Sequence, residues 1–283
     1  MRSARCFAGW AAVAWFSDPG AVAQAASPDD FRTVNVNYVY ASTLGFGGYS
    51  LAGLSADVYT LPLSHSFLPG DDGLVLRVTL PVQFGLYSFR GTDTDGTPIA
   101  LNQQSLALVP GAELQIPVGP HLLLKPFVNF GAAYAFGVSQ GVPDAWVYAA
   151  GARAVSRWQI GAYTLAVGGG ALYAGDRAMG PGFHEQYTAL EAGVELRHPL
   201  GFSIRGIAPD VGVYAAAYEY PQPLQFTRFL APPLSVRNQG EVGMTLGTVQ
   251  PLDMLWLGNT RIGAGYVFGD GLQVWHVVFG LPF

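Results

Sequence analysis

The chain has 283 residues, of which 12% are charged, about half the share of a soluble domain. Gly (37), Tyr (14) and Phe (17) are abundant, and the net charge is −5. Beyond the N-terminus no run of 18 apolar residues occurs, which argues against a helical membrane bundle. With 14 basic residues against 19 acidic ones, nothing favours nucleic-acid binding.

Taken from the start, residues 1–25 read as an export signal. Arg2 and Arg5 precede the apolar stretch 6–16, and "AVAQA" at 21–25 offers small residues in an A-x-A arrangement before Ala26. Cleavage there leaves 26–283 as one domain. It removes Cys6, the only cysteine, so the mature chain has no disulfide. No leucine stands three residues before Cys6, which argues against a lipoprotein anchor. Losing Arg2, Arg5 and Asp18 leaves 12 basic and 18 acidic residues, a net −6.

The rest alternates at period two. The segments are 33–46, 51–63, 74–90, 105–118, 122–137, 146–159, 161–174, 188–198, 202–220, 239–250, 260–269 and 272–283. In 74–90 the face of Leu76, Val78, Leu80 and Phe84 opposes Arg77, Thr79 and Gln83. In 122–136, Leu122, Leu124, Val128 and Phe130 oppose Lys125 and Asn129, and in 188–198 Leu190, Val194 and Leu196 oppose Glu191, Glu195 and Arg197. Such alternation predicts strands with one apolar and one polar face. The fold class is all-β: a single antiparallel up-and-down transmembrane β-barrel of about 12 strands.

The links alternate as well. Short ones fall at 118–121, 159–161 and 198–201, and long ones at 91–104, 175–187 and 221–238. Short turns at one rim and long loops at the other suit an outer-membrane barrel, with both termini periplasmic. The short link 269–271 breaks the rule. Pro81 and Pro126 fall inside strands, where each predicts a bulge.

A soluble lipocalin-like barrel shares the alternation with its apolar face inward. The scarcity of charge on the polar face, and its wealth of Gly and Ala, favour lipid outside instead. Trp146 and Tyr148 near one end of a strand share a face with Trp158 at the other, the expected aromatic girdle. A charge on the lipid face costs about 2–4 kcal/mol at the midplane for Arg or Lys. That sends Arg77, Lys125, Arg153, Arg157, Arg197, Arg205 and Arg261 inward, with Asp57, Glu191, Glu195 and Glu241. Seven basic against four acidic residues leave two readings open. One is a salt-bridge lattice filling a narrow barrel. The other is a channel preferring small acidic solutes, lined by Arg77, Arg153, Arg157 and Arg205.

An outer-rim hydrolase needs Ser, His and a carboxylate within reach. Only His184 and Glu185 lie in an expected outer loop, with no serine close behind, so the chain reads as non-enzymatic. No Cys/His/Asp grouping has metal-ligand spacing, and no cofactor is expected.

The last segment puts Trp275, Val277, Phe279, Leu281 and Phe283 on one face. With "NQGEVGMTLGT" and "RIGAGYVFGDG" before it, this final third resembles the solitary autotransporter-like outer-membrane β-barrels of Gram-negative bacteria. The resemblance implies that the terminal strand is the signal read by the barrel-assembly machinery, and that the protein sits in the outer membrane. About eight residues separate Ala25 from the first expected strand, too few for a passenger or a threaded helix. The expected role is structural or passive permeation, by a monomer in outer-membrane lipid.

Overall fold

In the computed structural model, the described residues are 46–51, 54–67, 73–92, 98–136, 144–181, 184–225, 235–250, 261–270 and 272–280. The expected export signal and Leu281 and Phe283 lie outside them, as does nearly all of the expected strand 33–46.

The described chain is built of strands: β1 (Phe46–Leu51), β2 (Leu54–Phe67), β3 (Val75–Thr92), β4 (Pro98–Leu108), β5 (Gly111–Val118), β6 (Leu122–Phe136), β7 (Ala145–Ile160), β8 (Tyr163–Ala178), β9 (His184–Pro199), β10 (Pro209–Gln225), β11 (Ser235–Thr248), β12 (Ile262–Gly269) and β13 (Leu272–Phe279). All pairings are antiparallel between sequence neighbours, except that β4 and β5 lie end to end between β3 and β6. The thirteen segments therefore fill twelve positions. β1 pairs with β13, from Phe46↔Val277 to Ser50↔Gln273, so every strand has a neighbour on both sides.

Proline explains the β4/β5 division. The register is unbroken across it: Thr79↔Gly111 and Val82↔Leu108 on one side, Leu108↔Ala132 and Gly111↔Asn129 on the other. Val109 N donates to Pro81 O and Phe130 N to Pro110 O, but neither proline has an N–H to return. The ladder loses two bonds without gaining a residue. Pro126 likewise keeps register, pairing with Ala152 while β5 and β6 stay aligned on either side. The bulges expected at Pro81 and Pro126 are thus absent, because a missing donor costs a bond but does not force an insertion. A register shift does occur between Glu219 and Leu224, where Tyr220-Pro-Gln-Pro223 opposes Arg237 alone.

The strands outrun the sequence expectation at the long-loop end. β4 begins at Pro98, β8 runs to Ala178, β9 starts at His184, and β10 runs to Gln225. Much of the expected loops 91–104, 175–187 and 221–238 is therefore strand. At the opposite end the turns are tight, with Gly119 and Gly161 at φ of 73° and 60°. A side chain there would meet no atom, so the glycines answer to backbone conformation alone. The third turn is longer than expected. Residues 200–208 fold back through reciprocal Ile204–Ile207 hydrogen bonds of 2.9 and 3.0 Å.

Apolar side chains point both ways. Outward, Trp275 (69% exposed), Phe130, Val128, Met244, Leu246 and Val213 stand free. Inward, Ala133, Ala145, Val147, Leu172, Tyr187 and Val236 pack into a cluster on the long-loop half of the interior. That half is filled mainly by small and aromatic residues, with Asp176 and Glu185 among them, while most of the charges gather toward the short-turn end.

Candidate functional site

The interior is the candidate site, and cross-strand pairing builds it. β9 turns Glu191, Glu195 and Arg197 inward at period two, while Leu190, Val194 and Leu196 face out. Glu195, fully buried, accepts from Arg197 Nε and Thr245 Oγ1, both at 2.6 Å, and Arg261 Nη1 stands 3.7 Å away. Arg261 also pairs with Asp210 and donates to Thr245 Oγ1 at 3.0 Å. Nearer mid-barrel, Arg153 of β7 reaches across β8 to Glu191, its guanidinium 4.7 Å from the centre of the Phe127 ring. Lys125 Nζ lies 3.4 Å from Glu113, and Arg77 donates to Ser64 Oγ at 2.8 Å.

A second cluster centres on Glu241. Its Oε1 accepts from Tyr214 at 2.6 Å and lies 2.8 Å from His276 Nε2, and its Oε2 accepts from Tyr218 at 2.9 Å. Glycine makes this possible. Gly243 and Gly265 pair directly between Tyr214 and His276. A Cβ on Gly265 would meet His276 Nε2 at 2.7 Å and Glu241 Oε1 at 2.8 Å. Gly170 likewise leaves room beneath Arg153 and Glu191, and Gly212 beneath Glu195 and Thr245. Bare stretches of wall let long polar side chains lie flat across neighbouring strands.

Between the apolar cluster and the charges lies a cavity of about 350 Å³. Thr60, Gln83, Asn129, Arg153, Glu191 and Tyr218 are among the residues lining it, and strands from β2 round to β13 contribute.

Of the eleven sequence candidates, nine stand on the inner face: Arg77, Lys125, Arg153, Arg157, Glu191, Glu195, Arg197, Glu241 and Arg261. Two do not. Asp57 alternates with buried Val58 and shares the exposed face of Tyr59 and Leu61. Arg205 sits exposed in the turn before β10 at φ 52°, because that strand begins only at Pro209. Sequence reading missed Glu113, Asp176 and Asp210, and placed in an outer loop Glu185, which turns inward on β9. Glu113 was legible as a neighbour of Gln115 on the polar face of 105–118. Asp176 was hidden in an expected loop, and Asp210 in a strand taken to start at 202. Among the described residues, six inward basic side chains therefore face seven acidic ones, in place of the expected surplus of three basic groups.

Elsewhere, Trp146 stands outward at the long-loop end of β7, stacked on Phe130 at 5.5 Å. Tyr148 lies on the same face beside Tyr173. Trp158 is exposed at the short-turn end near His121, and Tyr163 near His198 flanks it on β8. Trp275, Val277 and Phe279 share the outward register of β13. His184, the candidate of the hydrolase reading, lies outward with Nε2 3.0 Å from Tyr148 Oη.

No protein-family model and no curated protein matches the sequence. Among solved structures, the translocator domain of the autotransporter NalP from Neisseria meningitidis superposes with a TM-score of 0.57 at 13% identity, over 82% of each chain. The β domain of the Bordetella autotransporter Brka gives 0.49 at 9% identity, over 82% of this chain and 92% of that one. The first of these likenesses shows that the described strands, antiparallel in twelve positions, have the fold of an autotransporter translocator domain.

Proposed function

We propose that the protein is an integral outer-membrane β-barrel whose apolar outer face meets lipid and whose interior is a salt-bridge lattice, with a structural role and no enzymatic one. The carrying observation is that six basic inward side chains stand against seven acidic ones, with no basic surplus, joined by cross-strand pairs such as Arg153–Glu191 and Arg261–Asp210. Fixed, mutually neutralised charges offer a travelling anion no surplus to follow. Removing one partner leaves the other buried and uncompensated, which favours a filled interior over an open one. The exterior supports the membrane setting: Phe130, Val128, Met244 and Trp275 would each expose apolar surface to water in a soluble barrel.

One observation favours a narrow anion-preferring channel instead. Arg157, exposed at the short-turn end, makes no ion pair among the described residues and lies on the same face as Arg153. Single-channel recording in a planar bilayer separates the two. The lattice reading predicts a folded, electrically silent barrel, with conductance appearing when Glu195→Gln breaks the network. Anion-selective steps in the wild type that shrink in Arg157→Ala would establish the channel.

A further inference from the structure

The outer surface of β7–β9 at the long-loop end departs from the apolar pattern around it. Trp146↔Arg177↔His184 form one cross-strand row, and Tyr148↔Gly175↔Gln186 form the next. Trp146, Arg177, His184 and Gln186 are exposed and outward-facing. Tyr148 Oη lies 3.0 Å from His184 Nε2, and Tyr173 donates to Gln186 Oε1 at 2.5 Å. Gly175 has no side chain to block this: Tyr148 lies over it, and a Cβ there would strike the phenol ring. The acidic residues of the same strand ends, Asp176 and Glu185, alternate to the inner face. The nearest carboxylate by register, Asp144, stands two residues before Trp146 and is engaged elsewhere, its Oδ1 accepting from Ala135 N at 3.1 Å. The next, Glu219, pairs with Leu190, four residues along β9 from Gln186.

A lipid face does not ordinarily carry a cation, an imidazole and two phenols side by side; an interface does. We propose that this patch docks the phosphate of a phosphorylated outer-leaflet lipid. Arg177 supplies the cation, and the phenol and imidazole groups add hydrogen bonds. The stacked Phe130–Trp146 pair meets the acyl chains beside it. The chemistry follows from charge complementarity: a guanidinium presents paired N–H donors that match phosphate oxygens, and basic clusters at a membrane rim recognise anionic headgroups. The inference rests on the membrane reading above, which places the long-loop end in the outer leaflet.

The test is lipid retention. The protein is refolded into phosphatidylcholine nanodiscs containing either diphosphoryl lipid A or its fully dephosphorylated counterpart, then extracted and weighed by native mass spectrometry. The expected result is selective retention of the phosphorylated lipid. It should fall about tenfold in an Arg177→Gln/His184→Gln double variant and largely persist in Arg177→Lys, as a loss of charge-assisted bonding predicts. Equal retention of both lipids by a folded barrel, or an unaffected double variant, would overturn the site while leaving the barrel intact. Complete displacement by millimolar inorganic phosphate would also overturn it, since the site would then take the free ion. Failure to enter any bilayer would contradict the membrane reading and the site together.

Discussion

At Glu195 a fully buried carboxylate meets two guanidinium groups and a threonine hydroxyl. Burial on this scale is tolerated only because each charge has a partner, so the network is sensitive to losing one member. Glu195→Gln keeps the shape and removes the charge, leaving Arg197 without its carboxylate and Arg261 with Asp210 alone. We expect a loss of about 3–5 kcal/mol, read as a lower urea midpoint for the folded, heat-modifiable band. Arg205→Ala, at an exposed turn residue, should leave that midpoint within about 0.5 kcal/mol. The contrast matters because the sequence offers Arg205 and Arg197 as equals. The polar face told which residues turn inward only where a strand persists. It failed at Arg205, where the chain turns, and at Asp57, where the alternation of 51–63 was assigned to the wrong face. Glu113 shows the converse: its face was readable, yet pairing with Lys125 depends on the β5–β6 register, which no single strand reveals.

The strands themselves were mostly legible, since period two survives in long segments with one apolar face. β7 falls within one residue of expectation at each end, and β11 within four at its start and two at its finish. The ends were not. Residues 91–104 and 175–187 look like loops because they are rich in Gly, Asp and Pro, but cross-strand bonds to a regular neighbour carry the ladder into them from both sides, to Thr92 and from Pro98, and to Ala178 and from His184. The proline-containing strands illustrate the balance of small terms. Pro81→Val would restore a donor facing Val109 O, worth about 1 kcal/mol net. It would also free the unfolded chain at a cost of about 0.4–1 kcal/mol. The expected shift in the urea midpoint is therefore below about 1 kcal/mol, with register unchanged. At the far end of the sheet, Asp270 in the β12–β13 turn accepts from the backbone N–H groups of Asn238 and Arg237 at 2.9 and 2.7 Å. These donors hold its carboxyl below the ordinary carboxylate range. A depressed folded value stabilises the turn above the unfolded value near 3.9 and loses that contribution as pH falls through the folded one. Amide-exchange protection at Arg237 and Asn238 should therefore weaken below about pH 4, and Asp270→Asn should remove that step.

On the scale of the whole molecule, one pattern explains the fold and its setting together. The sheet runs through twelve positions and joins β1 to β13, leaving no open edge in the described pairings. Such a sheet needs two different surroundings, one for each face. The inward face supplies its own, through small residues at the long-loop half and paired charges below. The outward face, with Met244, Leu246, Phe130 and Trp275, supplies none, and the account assigns it to lipid. The most direct test is site-directed spin labelling along β11 in a reconstituted bilayer, comparing collisions with apolar oxygen and with a water-soluble nickel chelate. The account predicts period-two behaviour. Labels at Val242, Met244 and Leu246 should be reached by oxygen, and labels at Gly243 and Thr245 should be shielded from it. Labels at Val242, Met244 and Leu246 reached by the nickel chelate instead, with no oxygen preference, would mean that this face meets water, and would contradict the membrane barrel.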